Sequence, residues 1–342
     1  MFPNGASPDD LTNLTVAVTN RCNLSCGFCC SMSSAKSGGE LETPVLLKVM
    51  RTAGRSVRGF VFTGGEPFLR ADLESLAGTA SELFPKVAIT TNGVDLTSSQ
   101  LRWVKGMGIG LVISLEGLEK THDSARGAGA FRKVMDTLCS AAELGIPLSL
   151  HTIIGPRLRQ EADTLVSIAR AVGAEGISFQ RPKLVGRARS QRDFSIKPAE
   201  YKELVAFVAR LQAANRDMLV NIKDALFSAH GADTVELCRK FRGKVVAAGC
   251  RAGICYLYIA FNGDVRLCPF IPTVLGNVRK DDLYDIWSTS ILIGALRRRE
   301  QYLTCKDCLY WPLCRGCRAE ALARNRSLFG ADPCCWRYAE RG

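Results

Sequence analysis

Between Leu14 and Gln180, short runs rich in β-branched residues alternate with longer stretches in which apolar residues recur every three or four positions. Such alternation is the pattern of successive βαβ units and predicts a parallel sheet. Six strands are expected: LTVAV from Leu14, GFVF from Gly59, VAITTN from Val87, GLVISLEG from Gly110, PLSLHTII from Pro147 and GISFQ from Gly176. Among the intervening helices, FRKVMDTLCSAAELG sets Val134, Leu138, Ala141 and Ala142 on one face and ends on Gly145. Six repeats rather than eight predict an α/β fold, a partial (β/α)6 TIM-like barrel, whose chemistry would sit at the carboxyl ends of the strands. A helix from Pro198 follows, and cysteines become dense from Cys238. A boundary near 225–245 is therefore expected, with a barrel over 12–225 and a cysteine-rich domain over 238–342.

Composition narrows the setting. The chain has 342 residues, of which 47% are apolar, enough for a large core. The N-terminus MFPNGASPDD has no basic flank or apolar signal region, and no stretch approaches the roughly 18 apolar residues of a membrane span. The sequence reads as cytoplasmic, with no membrane partner. Fifteen cysteines in a reducing compartment are better metal ligands than disulfides. The net charge of +12 omits ionised thiolates, and no block of five or six basic residues occurs. Nucleic acid is not the expected partner.

Cys22, Cys26 and Cys29 form CxxxCxxC in the loop after the first expected strand. Three thiolates on one loop can hold three corners of a cubane iron-sulfur cluster and leave the fourth iron open. A closed zinc site would need another ligand, and no histidine is near. The motif, with Phe28 before its last cysteine, resembles that of the radical S-adenosylmethionine (SAM) enzymes. TGGEP after the second strand strengthens the likeness. Gly64 and Gly65 would allow close backbone approach to a ligand, and with Glu66 and Pro67 they match the segment that binds the SAM amino group in that family. The resemblance also implies SAM-binding roles for Asn92 in TTNG and Ser114 in ISLEG, while Glu116 stands where relatives often have aspartate.

The second group reads CRAGIC from Cys250, then Cys268, then CKDCLYWPLCRGC from Cys305 to Cys317, then Cys334 and Cys335. Only five residues separate Cys308 from Cys314, too few for the usual zinc ribbon. The arrangement is similar to the SPASM extension of one branch of radical SAM enzymes, so the resemblance runs from about 14 to 335. It implies one auxiliary cluster on Cys250, Cys255, Cys268 and Cys317, and another on Cys305, Cys308, Cys314 and either Cys334 or Cys335. Relatives usually have three residues between the last two cysteines of the CKDCLYWPLCRGC segment, and this chain has two, which leaves the partition open. Three 4Fe-4S clusters are expected, one binding SAM and two auxiliary.

By this likeness the protein is an enzyme, reduced by a flavodoxin or ferredoxin, that cleaves SAM to a 5′-deoxyadenosyl radical. A non-enzymatic electron carrier would need neither an open iron nor the glycine-lined segment. His151, on the fifth strand, and Arg181, Arg187 and Arg189, beyond the sixth, are candidate substrate contacts, as is Glu116. The arginine forks suit an anionic group. The first strand starts by about residue 14, leaving no room before it for a peptide-recognition domain. A small polar intermediate of sugar, nucleoside or aminocyclitol type is therefore the expected substrate, with oxidation, decarboxylation or epimerisation as the reaction; maturation of a ribosomally made peptide or protein side chain is the alternative. Cys139 is expected in the core, and Cys238 either packs or donates a hydrogen atom.

Overall fold

The computed structural model describes residues 10–36, 38–190, 195–231, 234–240 and 248–339. The six expected strands are present as β1 (Asn13–Thr19), β2 (Gly59–Gly64), β3 (Lys86–Thr91), β4 (Gly110–Ser114), β5 (Leu148–Ile153) and β6 (Gly176–Gln180). All pair in parallel with their neighbours in sequence order. A seventh strand, β7 (Leu219–Ile222), continues the series beyond β6. Between strands lie α1 (Thr43–Ala53), α2 (Leu73–Leu83), α3 (Ser98–Gly106), α4 (Glu119–Arg126), α5 (Ala130–Glu143), α6 (Leu158–Ala171) and α7 (Pro198–Ala214). Local signals start several of them. Pro44 occupies the first turn of α1. At α3, Thr97 and Gln100 close a capping box, each side chain accepting the other's backbone N–H.

The cysteine-rich segment continues this sheet. After α8 (Thr234–Lys240), β8 (Tyr256–Ile259) pairs in parallel with β1, from Asn13 opposite Tyr256 to Val16 opposite Ile259. β9 (Asp264–Arg266) and β10 (Val274–Asn277) then turn back antiparallel. The order is β10-β9-β8-β1-β2-β3-β4-β5-β6-β7. The expected boundary near 225–245 falls partly on 241–247, outside the described residues. Across it, the Cys255 carbonyl accepts from the Asn13 N–H at 2.9 Å. Four short helices, α9 (Leu283–Thr289), α10 (Ile291–Leu296), α11 (Arg318–Asn325) and α12 (Trp336–Ala339), complete the chain.

The parallel strands have two unlike faces, because successive side chains alternate. Leu14, Val16, Phe60, Phe62, Ile89, Leu111, Ile113, Leu150, Phe179 and Val220 are buried in one core with the helices. Phe60 stacks on Phe84 at 4.5 Å and meets Phe62 edge-on at 4.9 Å; burying each such ring contributes about 1.5–3 kcal/mol. The opposite face carries Thr15, Thr63, Thr90, Ser114, His151 and Ser178, small or polar groups, with Val61 and Val112 among them.

α5 corrects one expectation. It buries Ala130, Val134, Thr137, Leu138 and Ala141, but Cys139, a turn of about 100° past Leu138, faces solvent. No helix among the described residues is long and apolar enough to cross a membrane.

Candidate active site

The loop from Cys22 to Cys29 leaves the carboxyl end of β1 and is held by its backbone. At the end of β2, the Gly65 N–H donates to the Thr19 carbonyl and the Glu66 N–H to the Arg21 carbonyl, both at 2.8 Å. A Cβ on Gly65 would lie 2.1 Å from the Arg21 oxygen, and one on Gly64, at φ +150, would lie 2.2 Å from the Thr19 oxygen. The close approach made by these two glycines is thus to the chain that carries the cysteines. That is a different partner from the ligand expected on sequence grounds. Gly186, at φ +58, approaches the Cys29 and Cys30 carbonyls just as tightly.

Within this clamp Cys22, Cys26 and Cys29 face one another. Burial pushes the Cys22 thiol up to about 11, and the charges of Glu66, Cys26 and Cys29 push the same way. Cys30 Sγ lies 3.7 Å from the Ser31 hydroxyl, and burial, with the charge of Cys29 pushing the same way, raises its thiol to about 11. The Asn92 side-chain amide donates to Asn23 Oδ1 at 2.8 Å and approaches Cys22 Sγ at 3.9 Å. Among the described residues no three Cys, His, Asp or Glu side chains converge on a single metal ion. A cubane instead spreads its thiolates over separate iron corners, which the three sulfurs on this loop suit.

Glu66 is 1% exposed. Its carboxylate accepts from the Thr91 hydroxyl at 2.8 Å, the Asn92 N–H at 2.8 Å and the Phe68 N–H at 3.3 Å. Burial pushes its carboxyl up to about 7 against those donors. Among the described residues no cation forms an ion pair with it, so an ammonium group of a ligand would complete its surroundings. Pro67 begins the short turn behind it. Ser114 ends β4 on the polar face and lies opposite His151 in register.

Sequence reasoning missed Arg126. It ends α4, donates twice to Glu116 (Nε at 3.0 Å, and Nη2), reaches Cys26 Sγ at 3.9 Å, and lies over the Phe28 ring at 5.3 Å. Glu116 also accepts from the Ile153 N–H at 2.6 Å. The carboxylate considered for substrate thus holds a guanidinium beside the first cysteine loop. No local pattern marks Arg126, because the geometry depends on β4 and the loop arriving at the same place.

The basic segment after β6 is also corrected. Arg181 is 2% exposed and binds Asp332 through two nitrogens at 2.9 and 2.7 Å, with Asp224 at 3.0 Å. Lys183 shares Asp224 at 3.1 Å. Arg187 donates to the Cys26 carbonyl at 2.8 Å and the Ser33 carbonyl at 2.9 Å. Two of the three arginines assigned to an anionic substrate are therefore engaged in holding the protein together. Arg189 is exposed, and 191–192 lie outside the described residues. His151 lies on the polar face between Ser114 and Ser178, and its Nε2 meets Gln180 Oε1 at 2.9 Å. Desolvation, aided by the Lys223 charge, brings its imidazole down to about 3, so it is neutral at ordinary pH.

The later cysteines form two groups. Burial pushes up the thiols of Cys255, Cys268 and Cys317, and the charge of Cys250 pushes each the same way, with Cys317 adding to the effect on Cys268. Cys305, Cys308, Cys314 and Cys335 line one cavity together with Asp332, Arg315 and Trp311. Cys334 instead turns its thiol to the Ile196 carbonyl at 3.3 Å, which separates it from the other four. Asp332 braces both groups: its carboxylate accepts from the Cys317 N–H at 2.8 Å and its carbonyl from the Cys335 N–H at 2.9 Å. Although burial opposes it, Arg181 holds this carboxyl well below the usual range. Cys238 is buried against Leu313.

Known proteins give the same division. The radical SAM superfamily pattern matches residues 16–167, and that of the SPASM iron-sulfur cluster-binding domain matches 250–309. The AdoMet-dependent heme synthase of Methanosarcina barkeri is 25% identical, over 93% of this chain and 94% of its own. The sporulation killing factor maturation protein SkfB of Bacillus subtilis is 27% identical, over 82% of this chain and 65% of its own. Among solved structures, Streptococcus suis SuiB bound to its precursor peptide SuiA superposes with a TM-score of 0.78 at 21% identity, covering 96% of this chain and 76% of that one.

Proposed function

Since this chain is a radical SAM enzyme with a C-terminal SPASM iron-sulfur domain, we propose that Cys22, Cys26 and Cys29 hold its SAM-binding cluster and that its substrate is a peptide or protein side chain. The carrying observation is the site at the ends of β1 and β2: three thiols on one loop beside a buried carboxylate that forms no ion pair among the described residues. When bound, the cluster and SAM would supply radical chemistry for hydrogen-atom abstraction from substrate. The protein's own part is positional. Gly64 and Gly65 lock the TGGEP turn to the cysteine loop, Glu66 would receive the SAM ammonium, and Asn92 fixes the loop through Asn23. Ser114 and Phe28 border the same opening, and Arg126 sets a positive charge beside Cys26.

The later cysteines would hold two auxiliary clusters, Cys250, Cys255, Cys268 and Cys317 in one and Cys305, Cys308, Cys314 and Cys335 in the other, three clusters in all. A flavodoxin or ferredoxin would supply the electron. The maturation role of SkfB supports the peptide substrate, which replaces the small polar intermediate expected from sequence. A tetrapyrrole is the second reading, because the heme synthase is matched along 94% of its length.

Anaerobic reconstitution, reduction and addition of SAM test the chemistry, with 5′-deoxyadenosine as the expected product. Mass analysis after incubation with a precursor peptide or with a porphyrin carboxylate separates the substrates. Failure to form 5′-deoxyadenosine under reduction would overturn the catalytic assignment.

A further inference from the structure

The segment between Cys308 and Cys314 carries Trp311 into the wall of the cavity that Cys305, Cys308, Cys314 and Cys335 line. Its backbone is fixed on both sides of the ring. The Trp311 N–H donates to the Cys308 carbonyl at 3.1 Å, and Arg315 Nη1 donates to the carbonyl of the next residue, Pro312, at 2.7 Å. The ring meets Tyr302 edge-on at 5.6 Å and has the Arg299 guanidinium over it at 5.7 Å, so neighbouring side chains set its orientation.

Trp311 is 1% exposed, and among the described residues its indole Nε1 has no hydrogen-bond partner. An indole nitrogen can only donate, and a buried donor left unsatisfied keeps the whole cost of its desolvation. Phenylalanine would fill the same place without that cost. Oxygen acceptors on this wall are engaged: the Asp332 carboxylate accepts from Arg181 and the Cys317 N–H, and the Pro312 carbonyl accepts from Arg315. Sulfur is the acceptor the cavity offers most, and one N–H···S contact is already made there, from the Gly316 N–H to Cys314 Sγ at 3.3 Å.

We propose that the Trp311 Nε1–H donates to a sulfur of the outer auxiliary cluster and raises its reduction potential. This rests on the auxiliary-cluster reading above and extends it to how readily that cluster takes up an electron. Reduction adds negative charge to the sulfurs, so a donor directed at them favours the reduced form. Trp311 acts through the cluster and not on substrate.

The test uses reconstituted holoenzyme. A redox titration followed by EPR resolves the clusters, and the step that Cys335→Ala removes belongs to the outer one. Trp311→Phe keeps an aromatic ring and loses the N–H. In it that step should remain with full iron, while its equilibrium shifts about tenfold toward the oxidised form, a fall of about 59 mV for one electron. The steps of the other clusters should not move. A second measurement stands on the wild type: with tryptophan isotopically labelled at the indole nitrogen, pulsed EPR of the reduced outer cluster should show a coupling to that nitrogen. The coupling should persist in Trp336→Phe, next to Cys335, and vanish in Trp311→Phe. An outer-cluster step unmoved in fully loaded Trp311→Phe, or a wild-type cluster with no indole coupling, would overturn the inference. Unchanged iron and an unchanged titration in Cys335→Ala would instead remove the ligand set itself, which tells failure of the underlying reading apart.

Discussion

The two sulfur-rich regions are built by opposite means. The first places three cysteines on one loop and fixes that loop with backbone hydrogen bonds from Gly65, Glu66 and Arg187 to Thr19, Arg21 and Cys29. Its buried carboxylate, Glu66, is held by the Thr91 hydroxyl and the Asn92 and Phe68 N–H groups and forms no ion pair among the described residues. The second gathers cysteines from distant segments and fixes them with buried ions, Arg181 to Asp332 and Asp224, and Arg315 to the Pro312 and Cys250 carbonyls. Local backbone closure suits a site that must stay open to a ligand; long-range charge pairing suits sulfur that is to be enclosed.

The largest effects should come from breaking the first region, because nothing else substitutes for its ligands. Cys22→Ala, Cys26→Ala or Cys29→Ala should each abolish 5′-deoxyadenosine formation while the iron of the later cysteines remains. Gly65→Ala should do nearly the same without touching a ligand, since its Cβ would lie 2.1 Å from the Arg21 carbonyl oxygen. Gly294→Ala, with nothing within 4 Å of its Cβ in α10, is the control, and should leave iron and activity unchanged. Iron per chain and product yield, measured together, check both; full loading of Gly65→Ala would mean that the backbone clamp is dispensable.

Next in size is the charge network of the second region. Asp332→Asn leaves the Arg181 guanidinium buried with only Asp224, and breaking such a pair costs about 3–5 kcal/mol. The denaturant midpoint should fall accordingly, with loss of iron from the later cysteines and retention of the first cluster. A variant that unfolds at the wild-type midpoint would show that the ions are not what holds this region.

This contrast also explains what the sequence could tell. The six β runs and the cysteine loop were legible because strand alternation and the CxxxCxxC spacing are local. β7 was missed: LVNI is four residues long, and its first, Leu219, is exposed at the sheet edge. The pairing of β8 with β1 joins segments at opposite ends of the chain, and no pattern in either announces it. Arg181 and Arg187 looked like free anion receptors for the same reason. Their partners Asp332 and Cys26 lie far away in sequence, so the segment shows its charge and conceals its neutralisation.

The smallest effect sharpens the comparison at a single adjacent pair. Cys335 lines the cavity with Cys305, Cys308 and Cys314, whereas Cys334 is turned away and bonds the Ile196 carbonyl. Cys335→Ser should therefore lower iron per chain by about the content of one 4Fe-4S cluster. Cys334→Ser keeps a donor for Ile196, and its cost should stay near that of one ordinary hydrogen bond, about 1 kcal/mol, with iron unchanged. Mössbauer or iron analysis of the two variants decides between neighbours that sequence spacing alone leaves equivalent. Iron loss in Cys334→Ser with full loading in Cys335→Ser would reverse the assignment and require this stretch to rotate when the cluster binds.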